Sequence, residues 1–340
     1  MLLNRSPRPW ALLVVALLAG ATACSSSPSS SSSPGAGSTS SSASTAAKHF
    51  TIAYVPGATG VAFYDTLLAG MKAKAASLGM TVTYQGSPNF APADQTPIVD
   101  AVCTKHPSAL IVSPTDPVAM VPAIATCLSA GIPVITVDTA LTDTSSLTSA
   151  ITTDNDQGGT IAAQYVGKAL GGKGQVALMS LSPTATTQVE RIQSFEKEMR
   201  SAYPGITIIP VQYTTQATSD SETVARSILA AHPGVKAFFG SAEPNAEGVA
   251  AALKALGLTG KVLDVGFDAS PAEVALLKSG GINATIAQPA AQEGADAAQF
   301  AYDKLTGDTA GITASVQLPD VLLTSADASQ AAYTKYFYIP

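Results

Sequence analysis

The chain has 340 residues, of which 46% are hydrophobic and only 12% are charged. This length and composition are sufficient for a large buried core, which we expect to be divided between two lobes. The formal net charge of −6, from 18 Lys and Arg residues against 24 Asp and Glu residues, argues against binding to nucleic acid or to anionic lipid surfaces.

Residues 1–23 have the pattern of a secretory signal peptide. Arg5 and Arg8 precede the apolar run WALLVVALLAGATA, which is too short to span a bilayer comfortably. The run ends in ATAC, at Cys24, and this ending resembles the lipobox of bacterial lipoproteins. The resemblance implies that Cys24 is lipidated and anchors an exported protein at the outer face of the cytoplasmic membrane. The alternative is an ordinary cleaved signal peptide beside an incidental cysteine.

A serine-rich segment follows Cys24 and extends to residue 47. Its sequence, SSSPSSSSSPGAGSTSSSASTAA, has too few large apolar residues to bury a core. We therefore predict that residues 24–47 form a flexible, solvated linker between a membrane anchor and a folded region.

From His49 onward, short apolar and β-branched runs alternate with helical patterns. In the first helical pattern, for example, Phe63, Leu67, Met71 and Leu78 recur on one face. Strand–helix alternation over this length predicts parallel sheets with crossover helices. The runs predicted as strands are HFTIAYVP, MTVTYQ, ALIVSP, IPVITVD, GQVALMS, ITIIPVQY, VKAFFGS, KVLDVGFD and NATIAQ.

Two parts of the chain repeat the same order of features. HPSALIVSPTD and HPGVKAFFGSAE are each followed by an Ala-rich helical pattern, a glycine turn and a strand. Those later strands end in Asp138 and Asp268, whereas the His-Pro pairs read as helix terminators. The repeat predicts two related α/β lobes, each with an aspartate at the carboxyl end of a strand. Because ligands bind at such strand ends, the two aspartates would lie on opposite walls of one cleft. Alternatively, each aspartate is only a helix cap or a turn residue.

The remaining cysteines and the histidines exclude some classes of site. Cys103 and Cys127 fall on consecutive predicted helices of one lobe, so in an oxidising compartment they form either a disulfide or two buried free thiols. The chain has only three histidines and none lies in a ligand-spaced cluster, so we expect no metal site. No G-x-S-x-G, H-E-x-x-H, P-loop or G-x-G-x-x-G motif is present, and we expect neither an enzyme nor a cofactor.

The ordered motifs resemble the type I periplasmic binding proteins, in particular the ribose- and sugar-binding branch of ABC importers. The resemblance covers roughly residues 50–323, and it rests on FYDTLLAGM, ALIVSPTDP, AGIPVITVDT, TTDNDQGG, VGFD and NATIAQPAAQEG. It implies two lobes joined by a three-crossover hinge with a ligand cleft between them. By the matching motifs, the N-terminal lobe comprises residues 48–153 plus 288–321, and the C-terminal lobe comprises residues 154–287 plus 322–340.

The resemblance also implies roles for individual residues. Phe63 and Tyr64 match an aromatic pair that packs on a sugar ring, although either ring is also a candidate for the core. Asp138 and Asp268 match carboxylates that accept hydrogen bonds from sugar hydroxyls. Gln288 lies at the second crossover. The first crossover carries Asp154 and the predicted site residue Asn155.

Several positions depart from the ribose-binding pattern. Thr139 and Val189 stand where arginines are expected, with Arg191 either serving as the nearby substitute or lying on a helix surface. The aromatic residue of the ribose-binding pattern is missing near Gln216, and Ala242, beside Glu243, stands in place of an asparagine of that pattern. These losses of hydrogen-bond donors argue against ribose itself. In addition, SPTATTQVE resembles a segment of the autoinducer-2 and rhamnose binders, in which Gln188 would contact the ligand; otherwise Gln188 faces solvent.

The functional prediction is a monomeric, lipid-anchored solute-binding protein. It would capture a monosaccharide or sugar alcohol by hinge closure and deliver it to an ABC permease, attached to the membrane by its lipid alone. The alternatives are a module that senses autoinducer-2 or a sugar for a receptor, and a carbohydrate-active enzyme of the cell envelope that uses paired carboxylates.

Overall fold

The computed structural model describes residues 49–339. The predicted signal peptide, the lipidation site at Cys24 and the serine-rich linker therefore lie outside the described residues. Within the described range, no helix combines the length and the apolar character needed to cross a bilayer.

The structure consists of alternating strands and helices. The strands are β1 (Thr51–Val55), β2 (Thr81–Tyr84), β3 (Ala109–Val112), β4 (Val134–Val137), β5 (Ser149–Thr153), β6 (Gly174–Ser180), β7 (Ile206–Tyr213), β8 (Val235–Gly240), β9 (Leu263–Phe267), β10 (Ala284–Ala287), β11 (Ser315–Leu318) and β12 (Val321–Thr324). The α-helices are α1 (Ala62–Ser77), α2 (Pro92–Thr104), α3 (Val121–Ser129), α4 (Asn155–Ala169), α5 (Thr186–Ala202), α6 (Thr218–Ala231), α7 (Glu243–Ala255), α8 (Pro271–Ser279) and α9 (Ala290–Thr306). Two 3-10 helices, Asp327–Ser329 and Ala331–Tyr336, follow β12.

The strands form two six-stranded sheets with the same connectivity. The first sheet has the order β11-β5-β4-β3-β1-β2, and the second has the order β12-β10-β9-β8-β6-β7. Strands β4 and β9, which precede Asp138 and Asp268, occupy the same place in the two sheets. The repeat seen in the sequence is therefore a repeat of the fold.

The first sheet is parallel throughout, whereas the second contains one exception. Strand β12 pairs antiparallel with β10, with Ala284 opposite Thr324. This edge strand is antiparallel because β12 follows β11 after a short connection and enters the second sheet without a crossover helix.

Helices cover both faces of each sheet, which explains why the predicted strands read as nearly continuous apolar runs. In the first sheet, Ile52 and Ile111 pack with helices α1 and α9, while Val55 and Leu110 pack with α2 and α3. Helices α2 and α3 are also joined by a disulfide between Cys103 and Cys127. The second sheet is enclosed in the same way by α4 and α5 on one face and by α6 and α7 on the other.

Three strands were not recognised in the sequence, namely β5, β11 and β12. Strand β5 has the sequence SAITT, in which buried Ser and Thr residues hide the apolar signal. Strands β11 and β12 occupy the edges of their sheets and are only partly buried, so they need few large apolar residues.

The chain passes between the two sheets three times, and the three passages are hydrogen-bonded to one another. The first lies between β5 and α4, the second between β10 and α9, and the third between β11 and β12. The Asp154 N–H donates to the Leu318 carbonyl at 2.8 Å. The Thr153 hydroxyl donates to Gln288 Oε1 at 2.8 Å. The passages therefore form one connected hinge region beneath the cleft.

Candidate ligand-binding site

The two strand-end aspartates adopt the same unusual backbone conformation. Asp138 has a φ of 65° and Asp268 has a φ of 93°. The Asp138 N–H donates to the Ile151 carbonyl at 3.1 Å, and the Asp268 N–H donates to the Ile286 carbonyl at 2.7 Å. A positive φ is uncommon outside glycine, and residues held in such conformations cluster at active sites and ligand clamps. Each lobe thus turns its chain sharply at the end of the equivalent strand.

Both aspartates line a single cavity of about 260 Å³. This volume is just below the ~300–1,000 Å³ range of typical small-molecule sites, which suits a small ligand. The first sheet and its helices contribute one wall, and the second sheet and its helices contribute the other. Of the predicted site residues, the cavity brings together Phe63, Tyr64, Asp138, Gln188, Arg191, Asp268 and Gln288.

On the first wall, the Tyr64 hydroxyl donates to Asp138 Oδ2 at 2.8 Å. Burial raises the pKa of Tyr64 well above its usual value, so the phenol remains a donor. Burial also raises the pKa of Asp138 to about 6, which the Arg191 guanidinium and the Tyr64 hydrogen bond oppose and the Asp268 carboxylate reinforces. The Asp138 N–H also donates to the buried Glu293 carboxyl group.

Aromatic rings support this wall. Phe63 lies edge-on to Tyr64, with ring centroids 5.2 Å apart, and edge-on to Tyr338, at 5.6 Å. Phe63 contributes to the hydrophobic core around α1 and also borders the cavity. Phe63 is therefore both a core residue and a residue of the cavity wall, as the two predictions for it allowed.

On the second wall, the Asp268 carboxylate accepts three hydrogen bonds from the protein. Oδ1 accepts from Gln288 Nε2 at 2.6 Å and from the Tyr338 hydroxyl at 3.0 Å. Oδ2 accepts from the Glu243 N–H at 3.1 Å. This network fixes the direction of the carboxylate.

Arg191 is 2% exposed and connects the hinge to the second wall. Its Nε donates to Asn155 Oδ1 at 2.7 Å, Nη1 donates to the Ser241 carbonyl at 3.0 Å, and Nη2 donates to Gln288 Oε1 at 2.9 Å. The guanidinium lies over the Phe267 ring, 3.6 Å from its centroid. Arg191 is therefore a buried cavity residue and not a helix-surface residue. Asn155 does not line the cavity and acts on it through Arg191.

A close helix crossing explains how Arg191 reaches the cavity. A Cβ added to Gly159 on α4 would lie 2.2 Å from the Arg191 carbonyl oxygen and 2.1 Å from Ser194 Oγ. Only glycine allows α5 to approach α4 this closely. The second glycine of TTDNDQGG, Gly159, thus serves the packing that positions the arginine.

Gln188 is 8% exposed, so it does not face solvent. Its Oε1 accepts from the Ser241 hydroxyl at 2.6 Å and from the Ser180 hydroxyl at 3.2 Å. The amide therefore ties the ends of β6 and β8 together while bordering the cavity. Gln216 and Ala242, two of the positions that depart from the ribose-binding pattern, also line the cavity. Thr139, a third such position, does not line the cavity, and its hydroxyl donates to the Pro114 carbonyl.

The sequence analysis missed several residues of the site. Glu243 begins α7 directly after β8, and Glu247 follows one turn later; both line the cavity. Burial raises the pKa of Glu243 to about 8, with Asp268 and Glu247 adding to the effect. The strand-end argument that found Asp138 applies equally to Glu243. Tyr338 gave no such signal, because it lies in a tail without periodic pattern.

Comparisons with known proteins agree with this architecture. The family model for the periplasmic binding protein domain matches residues 52–309. The chain is 32% identical over 261 residues to the ribose import binding protein of Salmonella typhimurium, covering 76% of this chain and 86% of the relative. It is 27% identical over 269 residues to the D-apiose import binding protein of Actinobacillus succinogenes, covering 79% of this chain and 86% of that protein.

A solved structure gives the same result for the fold. The solute-binding protein of an ABC transporter from Agrobacterium vitis, bound to α-D-tagatopyranose, is 33% identical to this chain and superposes with a TM-score of 0.82. The alignment covers 86% of this chain and 100% of that one. This similarity confirms the predicted two-lobed α/β fold.

These related proteins are binding components of transporters and not enzymes, which confirms the expectation that the chain is not an enzyme. The match to the family model spans most of the described residues, and the relatives are matched over most of their own length. The chain therefore belongs to the periplasmic binding protein family, as a type I member related to the sugar-binding proteins of ABC importers.

Proposed function

We propose that this protein is the lipid-anchored binding component of an ABC importer and that it captures a monosaccharide or sugar alcohol between its lobes. One observation carries the proposal: two topologically equivalent aspartates, Asp138 and Asp268, face one small cavity from opposite walls. Ionised carboxylates accept hydrogen bonds from neighbouring hydroxyl groups, and aromatic rings cover the apolar C–H faces of a sugar.

The remaining cavity residues fit the same chemistry. Gln288 offers an amide at the hinge, Arg191 supplies a buried cation, and Phe63 with Tyr64 supplies the aromatic surface. We assign ligand contact to these residues and to Gln188, and we assign a supporting role to Asn155. In this proposal the N-terminal lobe comprises residues 48–153 plus 288–321, and residues 154–287 plus 322–340 form the other lobe.

Closure of the lobes supplies the transport mechanism. A ligand that contacts both walls has a higher affinity for the closed arrangement than for the open one, and this difference drives closure. The closed lobes then present a joint surface to a membrane permease. The protein itself makes and breaks no covalent bond.

A thermal-shift screen tests the ligand class. The panel contains D-ribose, D-tagatose and D-fucose with further pentoses, hexoses and pentitols. Each sugar is added at about 100 μM, which is ~100 times the dissociation constant of a ligand that binds with micromolar affinity. Linkage predicts that a true ligand raises the melting temperature of the protein by about 5 °C. A panel without any shift would argue against a hydroxyl-rich ligand.

Labelling tests the anchor separately. Expression of the full chain in a bacterial host with a radiolabelled fatty acid is expected to label the protein and to place it in the membrane fraction. The Cys24→Ser variant is expected to lose both the label and the membrane association. Equal labelling of the two proteins would exclude Cys24 as the site of lipidation.

A further inference from the structure

The C-terminal tail lies outside the repeat that builds the two lobes. It follows β12, continues through the 3-10 helix Ala331–Tyr336, and ends in the segment Phe337–Ile339. Nothing in the repeated fold requires this segment, since each sheet is complete at β11 or β12.

Consecutive residues of the tail are bound to different lobes. The Tyr338 N–H donates to the carbonyl of Ala269, in the loop after β9, at 3.0 Å. The Ile339 N–H donates to the hydroxyl of Thr66, on helix α1, at 2.8 Å. Because the two acceptors belong to opposite lobes, separation of the lobes would break at least one of these bonds.

The Tyr338 side chain also contacts both lobes. It is 4% exposed, and its hydroxyl donates to Asp268 Oδ1 on the second wall of the cavity. Its ring packs edge-on against Phe63 on the first wall. Burial and the neighbouring carboxylate raise the pKa of Tyr338 well above its usual value, so the hydroxyl remains protonated.

Tyr338 thereby completes a symmetric pair. Tyr64 donates to Asp138 on one wall, and Tyr338 donates to Asp268 on the other. Tyr64 lies on helix α1, the helix that follows β1, whereas Tyr338 lies in the C-terminal tail. A phenol restricts a carboxylate to fewer orientations and leaves the remaining lone pairs free for a ligand.

We propose that the segment Phe337–Ile339 is a clasp that holds the two lobes in the closed arrangement and that Tyr338 is the positioning residue for Asp268. The ligand part of this inference rests on the proposed function. The clasp itself does not, since it consists of contacts between the protein's own residues.

Tyr338→Phe tests the positioning role, because it removes one hydroxyl and keeps the packed ring. Tyr336→Phe is the matched control, since Tyr336 lies in the same tail and its hydroxyl lies outside the network at Asp268. With D-tagatose and D-ribose as probes, we expect Tyr338→Phe to weaken binding about tenfold, through faster dissociation with an unchanged association rate. The control is expected to stay within twofold of the wild-type protein. Equal affinities for the two variants would overturn the positioning role.

A chain terminated after Tyr336 tests the clasp without any ligand. Small-angle X-ray scattering of the ligand-free proteins is expected to give a larger radius of gyration for the truncated chain than for the wild type, with Tyr338→Phe between them. Superimposable scattering curves, together with retained folding by circular dichroism, would overturn the clasp. If no sugar of the thermal-shift panel binds the wild type, the proposed function and the positioning role are both wrong, while the scattering result still decides the clasp.

Discussion

The Asp268 carboxylate receives three protein donors, yet it borders the cavity. A buried carboxylate is costly unless its oxygens are hydrogen-bonded, and these three donors offset that cost. Under the proposed function, the same donors set the geometry at which ligand hydroxyls would arrive.

Replacement of Asp268 by Ala is therefore expected to weaken ligand binding by at least about tenfold, because a charge-assisted set of hydrogen bonds is lost. It should also cost about 1–3 kcal/mol of unfolding free energy, since the Gln288 and Tyr338 donors are left unpaired. Isothermal titration calorimetry and urea unfolding measure the two effects. Asp308→Asn, at an exposed position, is the control. Unchanged affinity would remove Asp268 from the site.

Asp138 makes stability depend on pH. Its pKa is about 6 in the folded protein, above the ~3.8 of the unfolded chain. The folded state thus binds more protons between these values, and the unfolding free energy should fall by about 2 kcal/mol as the pH rises from 4 to 6. The groups that face Asp138 are Tyr64, Arg191, Asp268 and Glu293.

The Asp138→Asn variant isolates this contribution, because the other titrating groups remain. The difference in unfolding free energy between the wild type and the variant is measured by urea denaturation at intervals from pH 4 to pH 8. It is expected to change mainly between pH 4 and pH 6 and to be flat above about pH 7. A constant difference at every pH would contradict the raised pKa.

The site residues that could be predicted from the sequence are those that directly follow a strand. Asp138 and Asp268 were found because each ends an apolar run, and parallel strand ends converge on a cleft. The hydrogen bonds of the Arg191 guanidinium and the contacts of Tyr338 were not predictable in this way. The first depends on a helix crossing, and the second on a tail whose path no local pattern specifies.

Among the elements, the crossing of α4 and α5 has the most direct effect on the site. Gly159 brings the two helix backbones together, and Arg191 projects from α5 at that point. The sequence indicated both helices, but it could not indicate that a glycine in one governs the position of an arginine in the other. Packing of this kind depends on distances between elements far apart in the chain.

Gly159→Ala is expected to force α5 away from α4, since the new methyl group would lie 2.2 Å from a backbone oxygen that cannot rotate aside. Overpacking should cost about 1–3 kcal/mol of stability, and ligand affinity should fall because Arg191 is displaced. Gly311→Ala, where nothing lies within 4 Å, is the matched control. Thermal unfolding and calorimetry provide the readouts; wild-type values for Gly159→Ala in both would contradict the proposed role of the crossing.

For the molecule as a whole, the lobes also touch directly across the cleft. The Ala140 N–H donates to the Thr186 hydroxyl at 3.1 Å, and the Thr184 hydroxyl donates to Asp116 Oδ2 at 3.2 Å. Asp116 and Ala140 belong to the first lobe, and the two threonines belong to the second. The structure is thus in a closed arrangement, in which direct contacts supplement the three hinge passages.

Closure that contributes to affinity should respond to changes remote from the ligand. Thr186→Val removes one contact between the lobes and is not among the residues that line the cavity. Since apparent affinity scales with the closed population, we expect a three- to tenfold loss of affinity, about 1 kcal/mol, with faster dissociation. Stopped-flow binding and small-angle scattering measure the two consequences, and Thr223→Val on the exposed face of α6 is the control. Identical dissociation rates for both variants would show that this contact between the lobes does not contribute to ligand retention.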